Sequence, residues 1–153
     1  LARFWERLEP LREAGKLGPV LWQLPENFHR DDEILAGALG ELPGDARHCF
    51  ESRHPSWFAE DVYVLLEDHG ASLALGDDAR RELPEASPAG PFAYLRLHYG
   101  GRGRNGNYCE RELETWRRRI AAWRSRREVF VYLNNDWQGF APRNAIALRS
   151  SLS

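Results

Sequence analysis

Five short apolar runs in this chain each stop at groups able to bind or react. "PVLWQLP" carries Gln23, "RHCFESR" delivers Glu51 and Arg53 with His54 next, "ASLALGD" ends on Asp77, "FAYLRLHY" holds Arg96 and His98, and "EVFVYLNN" ends on Asn134 and Asn135 with Asp136 following. Three of these, Arg53, Arg96 and His98, could hold an anion, since a planar guanidinium fork matches a phosphate or carboxylate. Glu51, His98 and Asp77 are the candidates to move a proton, a task that needs a pKa tuned by burial or neighbouring charge. Gln23, His54, Asn134, Asn135 and Asp136 would contact and orient a ligand. Read differently, Glu51, Asp77, His98 and Asp136 make a mixed oxygen and nitrogen set able to ligate Mn²⁺, Mg²⁺ or Zn²⁺. No two of them sit at a diagnostic local spacing, so no residue is assigned to a metal and no cofactor is specified.

Each feature also has a structural reading. Asn and Asp end strands because they form turns and cap helices. Arg96 and His98 lie two residues apart on one strand face, and a buried Arg96 needs an acceptor, for which Glu51 or Asp77 would serve. His54, before Pro55, fits a loop. The segment Gly100 to Gly106, with Arg102 and Arg104, could offer backbone N–H groups to a phosphate, but it lacks the P-loop spacing and reads first as a surface loop.

The elements that would position these groups alternate. Phe4, Leu8 and Leu11 recur at helical spacing over residues 2 to 14, and Gly15 and Gly18 mark the exit. Asp31 and Asp32 open a helix through Leu42, "AEDVYVLLEDHG" is a helix stopped by glycine, and the longest helix runs from Cys109 to about Arg126. A last helix lies near Gly139 to Leu148, and a polar, proline-bearing loop spans Asp78 to Pro91. Strands apolar on both faces and separated by helices predict an α/β fold with a parallel sheet. The units could form a doubly wound sheet or the later part of an eight-stranded barrel; in both, ligands bind at the carboxyl ends of the strands. In the longest helix Leu113, Trp116, Ile120 and Trp123 form one stripe for the core. Arg117, Arg118, Arg119 and Arg124 lie largely elsewhere, on a solvated face that Glu110, Glu112 and Glu114 can pair.

The 153 residues make one domain by length, and 42% hydrophobic content is enough to bury a core. A formal charge of −2 argues against a whole-domain polyanion binder, so nucleic acid is not the expected partner. Two cysteines, Cys49 in a strand and Cys109 in a loop, give neither a disulfide scaffold nor a metal knuckle, which suits a reducing, cytoplasmic setting. No apolar run approaches a membrane span.

Taken together and in this order, "GPVLWQLPENF", "FESRHPSWF", "LALGDD", "YLRLHY" and "VYLNNDWQGFAPRNA" resemble the DUF72 family, the YecE-like proteins, from about Leu8 to Leu148. The resemblance implies a TIM-type (β/α) barrel, similar in shape to the xylose isomerase-like and endonuclease IV-like barrels. It implies that the family's fixed positions fall on Gln23, Pro25, Glu51, Arg53, His54, Trp57, Asp77, Arg96, His98, Asn134, Asn135, Asp136 and Asn144. The chain departs from the pattern at Tyr99, where the family usually has glycine, and the family's opening Gly-Thr-Ser-Gly-Trp motif is missing. With Leu1 first and no methionine, we expect the later βα units, about five parallel strands, of a barrel incomplete at its N-terminus. A whole barrel needs about 250 residues. Five strands would leave two sheet edges and an inner face for a missing N-terminal segment or a second copy to cover.

Three functions follow as expectations. The strand-end pocket binds or transforms a small anionic molecule, phosphorylated or sugar-like. By analogy of fold alone it is a metal-dependent hydrolase, nuclease or isomerase. Or the polar cluster is a structural network in a non-catalytic interaction module, with Trp57 and the arginine helix making protein contacts.

Overall fold

A computed structural model of the chain describes residues 1–77, 88–98, 100 and 106–152. Among these, five parallel strands pair in simple sequence order: β1 (Val20–Gln23), β2 (His48–Glu51), β3 (Ala71–Gly76), β4 (Ala93–Leu97) and β5 (Val129–Leu133). The helices are α1 (Ala2–Glu13), α2 (Asp32–Gly40), α3 (Glu60–Asp68), α4 (Glu110–Arg124) and α5 (Phe140–Ser151). A doubly wound sheet reverses its strand order at a switch point. Here the order never reverses, so the architecture is the barrel type, a curled half-barrel of βα units.

Period-two alternation assigns the two faces of the sheet. Outward from β2 and β3, Phe50, Ala71 and Leu73 pack on Leu35 and Leu39 of α2 and on Val62 and Leu66 of α3. Outward from β3 and β4, Leu75, Leu95 and Leu97 meet Trp116 and Ile120 of α4 and Leu148 of α5. Leu113 and Trp123 join them, completing the stripe expected of the longest helix. α2 begins where Asp31 accepts the Ile34 N–H at 3.0 Å, satisfying one of the open donors of its first turn. Trp57 is only 2% exposed and donates its Nε1–H to Phe28 O at 2.8 Å. It is therefore core, not the protein contact that the interaction-module reading gave it.

The inner face is not bare. Cys49, Ala74, Phe92 and Tyr94 form a buried cluster with Leu21 and Phe130 against them. Tyr94 stacks on Tyr132 with ring centroids 4.8 Å apart, and Phe92 meets Phe130 edge-on at 5.7 Å. Curling makes this possible. Arg47, just before β2, pairs with Glu128 before β5 at 2.8 Å, and a Cβ at Gly18, before β1, would lie 3.9 Å from the Tyr132 hydroxyl. β1 and β5 remain the outer strands of the described sheet.

Candidate functional site

The small residues of β3 create the site. Its inward side chains are Ser72 and Ala74, with Gly76 at its end, so groups from β2 and β4 can meet over it. There Arg96 Nη1 donates to Glu51 Oε2, with the two side chains 16% and 14% exposed. Arg96 Nε also donates to Asn134 Oδ1 at 3.3 Å. Asn134 stands beside Arg96 because its N–H bonds to Leu97 O at 2.7 Å and carries the β4–β5 ladder one residue past the strand.

His98 follows Arg96 on the same side. Its backbone N–H donates to Asp77 Oδ1 at 2.8 Å, the Gly100 N–H donates to Asp77 Oδ2 at 2.9 Å, and the Tyr108 hydroxyl donates to the same oxygen. Asp77 thus holds the turn after β4 through charge-assisted bonds. Burial pushes the His98 pKa down, Arg96 pushes the same way, Glu51 and Asp77 oppose, and Arg53 adds to the lowering. Arg53 shares the face of Glu51 and is half-buried, and it has no hydrogen bond or ion pair among the described residues.

Other candidates are placed elsewhere. Gln23 pairs in register with Glu51 but is exposed and makes no side-chain hydrogen bond among the described residues. His54 caps the 3-10 turn Pro55–Trp57: Ser56 Oγ accepts the Arg30 N–H at 2.9 Å and lies 2.8 Å from His54 Nδ1. The Ser56 N–H also points at Nδ1, at 3.3 Å, so in the neutral ring the proton sits on Nε2. His29 rests against that ring, centroids 3.9 Å apart. Asn135 is buried, and its amide donates to Gly106 O and to Asn144 Oδ1 at 2.8 Å, tying the end of β5 to α5. Asp136 is exposed and precedes the 3-10 turn Trp137–Gly139.

Thus Glu51, Arg53, Asp77, Arg96, His98 and Asn134 share one place, whereas His54, Asn135 and Asp136 face other partners or solvent. No three His, Cys, Asp or Glu side chains converge as a metal site among the described residues, so Glu51, Asp77, His98 and Asp136 do not form the donor set considered above. Arg102 and Arg104 lie outside the described residues, as does most of the Asp78 to Pro91 loop. Four arginines of α4 are otherwise engaged: Glu114 takes Arg117 and Arg118, Arg119 lies over the Trp116 ring, and Arg124 bonds to Leu152 O. Glu112 turns back to the Cys109 N–H at 2.7 Å and caps the helix.

The family model described as "Protein of unknown function DUF72" matches residues 1–153. The chain belongs to the DUF72 family. A DUF72 protein of Thermotoga maritima superposes with a TM-score of 0.86 at 27% identity over 99% of this chain and 64% of its own. A second, from Enterococcus faecalis, gives 0.81 at 22% identity over 97% and 66%. The chain therefore spans slightly less than two thirds of each of these structures. No curated protein matches it significantly. Among the described residues, no helix is long and apolar enough to cross a membrane.

Two residues that engage the candidate side chains of this DUF72 protein escaped sequence reading. Tyr108 sits between the glycine-rich segment and α4, where nothing local announces that its hydroxyl reaches Asp77. Ser56 looks like a turn residue, yet it fixes the His54 tautomer. A pH test isolates His98. Its folded pKa lies below the ordinary value of about 6.5, so as pH falls below about 6.5 the unfolded chain takes up the proton first. Stability should then fall with pH through that window and level off below the folded pKa. Urea denaturation between pH 7.5 and 5.5 would show this, and the slope should shrink in His98→Gln. An unchanged slope would mean that His98 is not held neutral by the fold.

Proposed function

We propose that the strand-end cluster binds a small anionic molecule, phosphorylated or carboxylated, and that Arg53 is its principal ligand. One observation carries the reading. Arg53 is a half-buried cation with no anionic partner among the described residues, and its charge, like that of Arg96, bears on His98. Burying a charge costs free energy unless something pairs it. An anion between Arg53 and His98 would supply that pairing, with the Arg96–Glu51 pair and Asn134 as a fixed wall. His98, held largely neutral, is the group able to accept a proton from such a ligand, and Asp77 positions it through the backbone.

Calorimetric titration of the full-length protein with inorganic phosphate tests this. Arg53→Ala should weaken binding by roughly ten- to a hundred-fold, the value of a charge-assisted hydrogen bond. Its melting temperature should barely move, because Arg53 has no partner among the described residues. Equal affinity in the variant, or no phosphate binding in the parent protein, would refute the reading.

A further inference from the structure

The two carboxylates of the strand-end cluster are used differently. Asp77 has both oxygens taken, by the His98 N–H, the Gly100 N–H and the Tyr108 hydroxyl. Glu51 gives only Oε2 to Arg96, and its Oε1 has no hydrogen-bond partner among the described residues. The same guanidinium orients the Asn134 amide. Arg96 Nε–H takes Oδ1 at 3.3 Å, so the Asn134 NH2 points away from the arginine and is likewise without a partner among the described residues. Through one arginine, β2 and the end of β5 therefore present a carboxylate oxygen that can only accept and an amide NH2 that can only donate. Arg53 follows Glu51 by two residues on the same face, at most about 7 Å of chain. Glu51, Arg53 and Arg96 all act electrostatically on His98.

That arrangement discriminates among anions. A ligand whose charged group is paired by Arg53 comes close to Glu51, and a bare anion there meets a carboxylate oxygen with which it cannot bond. The Glu51 and Arg96 side chains are only 14% and 16% exposed, so water screens that repulsion poorly. A hydroxyl on the ligand removes the conflict, because it can donate to Glu51 Oε1 and accept from the Asn134 NH2. An ammonium could donate to Oε1, but it would leave the amide donor unmatched and face the charges of Arg53 and Arg96. Resting on the anion reading of this cluster, we propose that Glu51 and Asn134 select anions that carry a hydroxyl close to the charged group. Hydroxy acids and the phosphate esters of polyols share that chemistry.

Calorimetric titration of the full-length protein with two matched pairs tests this: glycerol 3-phosphate against propyl phosphate, and lactate against propionate. In at least one pair the hydroxylated member should bind about ten-fold or more tighter, as expected for a hydrogen bond to a charged group. The pair that shows the preference tells whether the anion is a phosphate or a carboxylate. Glu51→Gln keeps an oxygen for Arg96 and exchanges Oε1 for an NH2 of the same size. It should cut the preference to about two-fold or less, while the hydroxyl-free anion binds at least as tightly as to the parent because a like charge has gone. A Glu51 that serves only to hold Arg96 would instead weaken both members of a pair alike and leave the preference intact, which overturns the assignment. Should Glu51→Gln fail to fold, the exposed Asn134 supplies the second variant, and Asn134→Ala should cut the preference about three- to five-fold; an unchanged preference there overturns the assignment as well. Equal binding of both members in the parent, abolished by Arg53→Ala, would refute the hydroxyl selection and leave the anion site standing. No binding of any of the four, nor of inorganic phosphate, would remove both.

Discussion

Gly90→Ala is expected to destabilise the protein by about 3 kcal/mol or more, adding a left-handed backbone penalty to steric overlap. Gly90 has φ 95°, and a Cβ there would lie 2.2 Å from Ala71 O and 2.6 Å from Ser72 Cα. These are backbone atoms of β3 and cannot swing away. The segment is pinned on all sides: Leu73 N–H donates to Ala89 O at 3.2 Å, Phe92 N–H to Ser72 Oγ at 3.2 Å, and Arg127 Nη1 to Gly90 O at 2.7 Å. A methyl group would lift the entrance to β4 off β3 and displace Arg96 at the far end of that strand. Urea denaturation of the variant measures the loss. A cost below about 1 kcal/mol would show that the segment relaxes, contrary to the close packing of such interiors.

The sequence and the structure agree most where a period was long and undisturbed. The α4 stripe of Leu113, Trp116, Ile120 and Trp123 repeats over several turns, and it packs as expected. Strand order was not legible in the same way, because a parallel strand apolar on both faces carries the same pattern in a barrel and in a doubly wound sheet. Pairing in sequence order decided between them. Site residues were legible as types but not as directions. Adjacent Asn134 and Asn135 look equivalent on paper, yet strand alternation sends the first to Arg96 and the second toward α5. Asp77 resembles an acid or base in the sequence, and only the fold reveals that its two oxygens hold His98, Gly100 and Tyr108. The 3-10 turn at Trp137–Gly139 was missed because nothing in "DWQGF" demands a left-handed Gln138; Arg143, several residues on, imposes it.

Arg96→Ala should cost about 2–3 kcal/mol, less than the 3–5 kcal/mol of a fully buried pair because both side chains keep some exposure. The loss would come mainly from what is left behind. Glu51 would face an inner wall of Ala74 and Gly76 with no cation across from it, and Asn134 Oδ1 would lose its donor. If that is the mechanism, Arg96→Met combined with Glu51→Leu should recover most of the stability, since an apolar pair of similar volume avoids the desolvation that the ion pair must offset. Anion binding should not recover with it, because the cluster would have lost a fixed charge and its anchor for Asn134. Denaturation and phosphate titration of the single and double variants therefore separate the two roles of Arg96. Should Arg96→Ala cost under about 1 kcal/mol, the pair would be a screened surface bridge, and the β2–β4 wall would owe its shape to the aromatic packing of Tyr94 and Tyr132 beneath it.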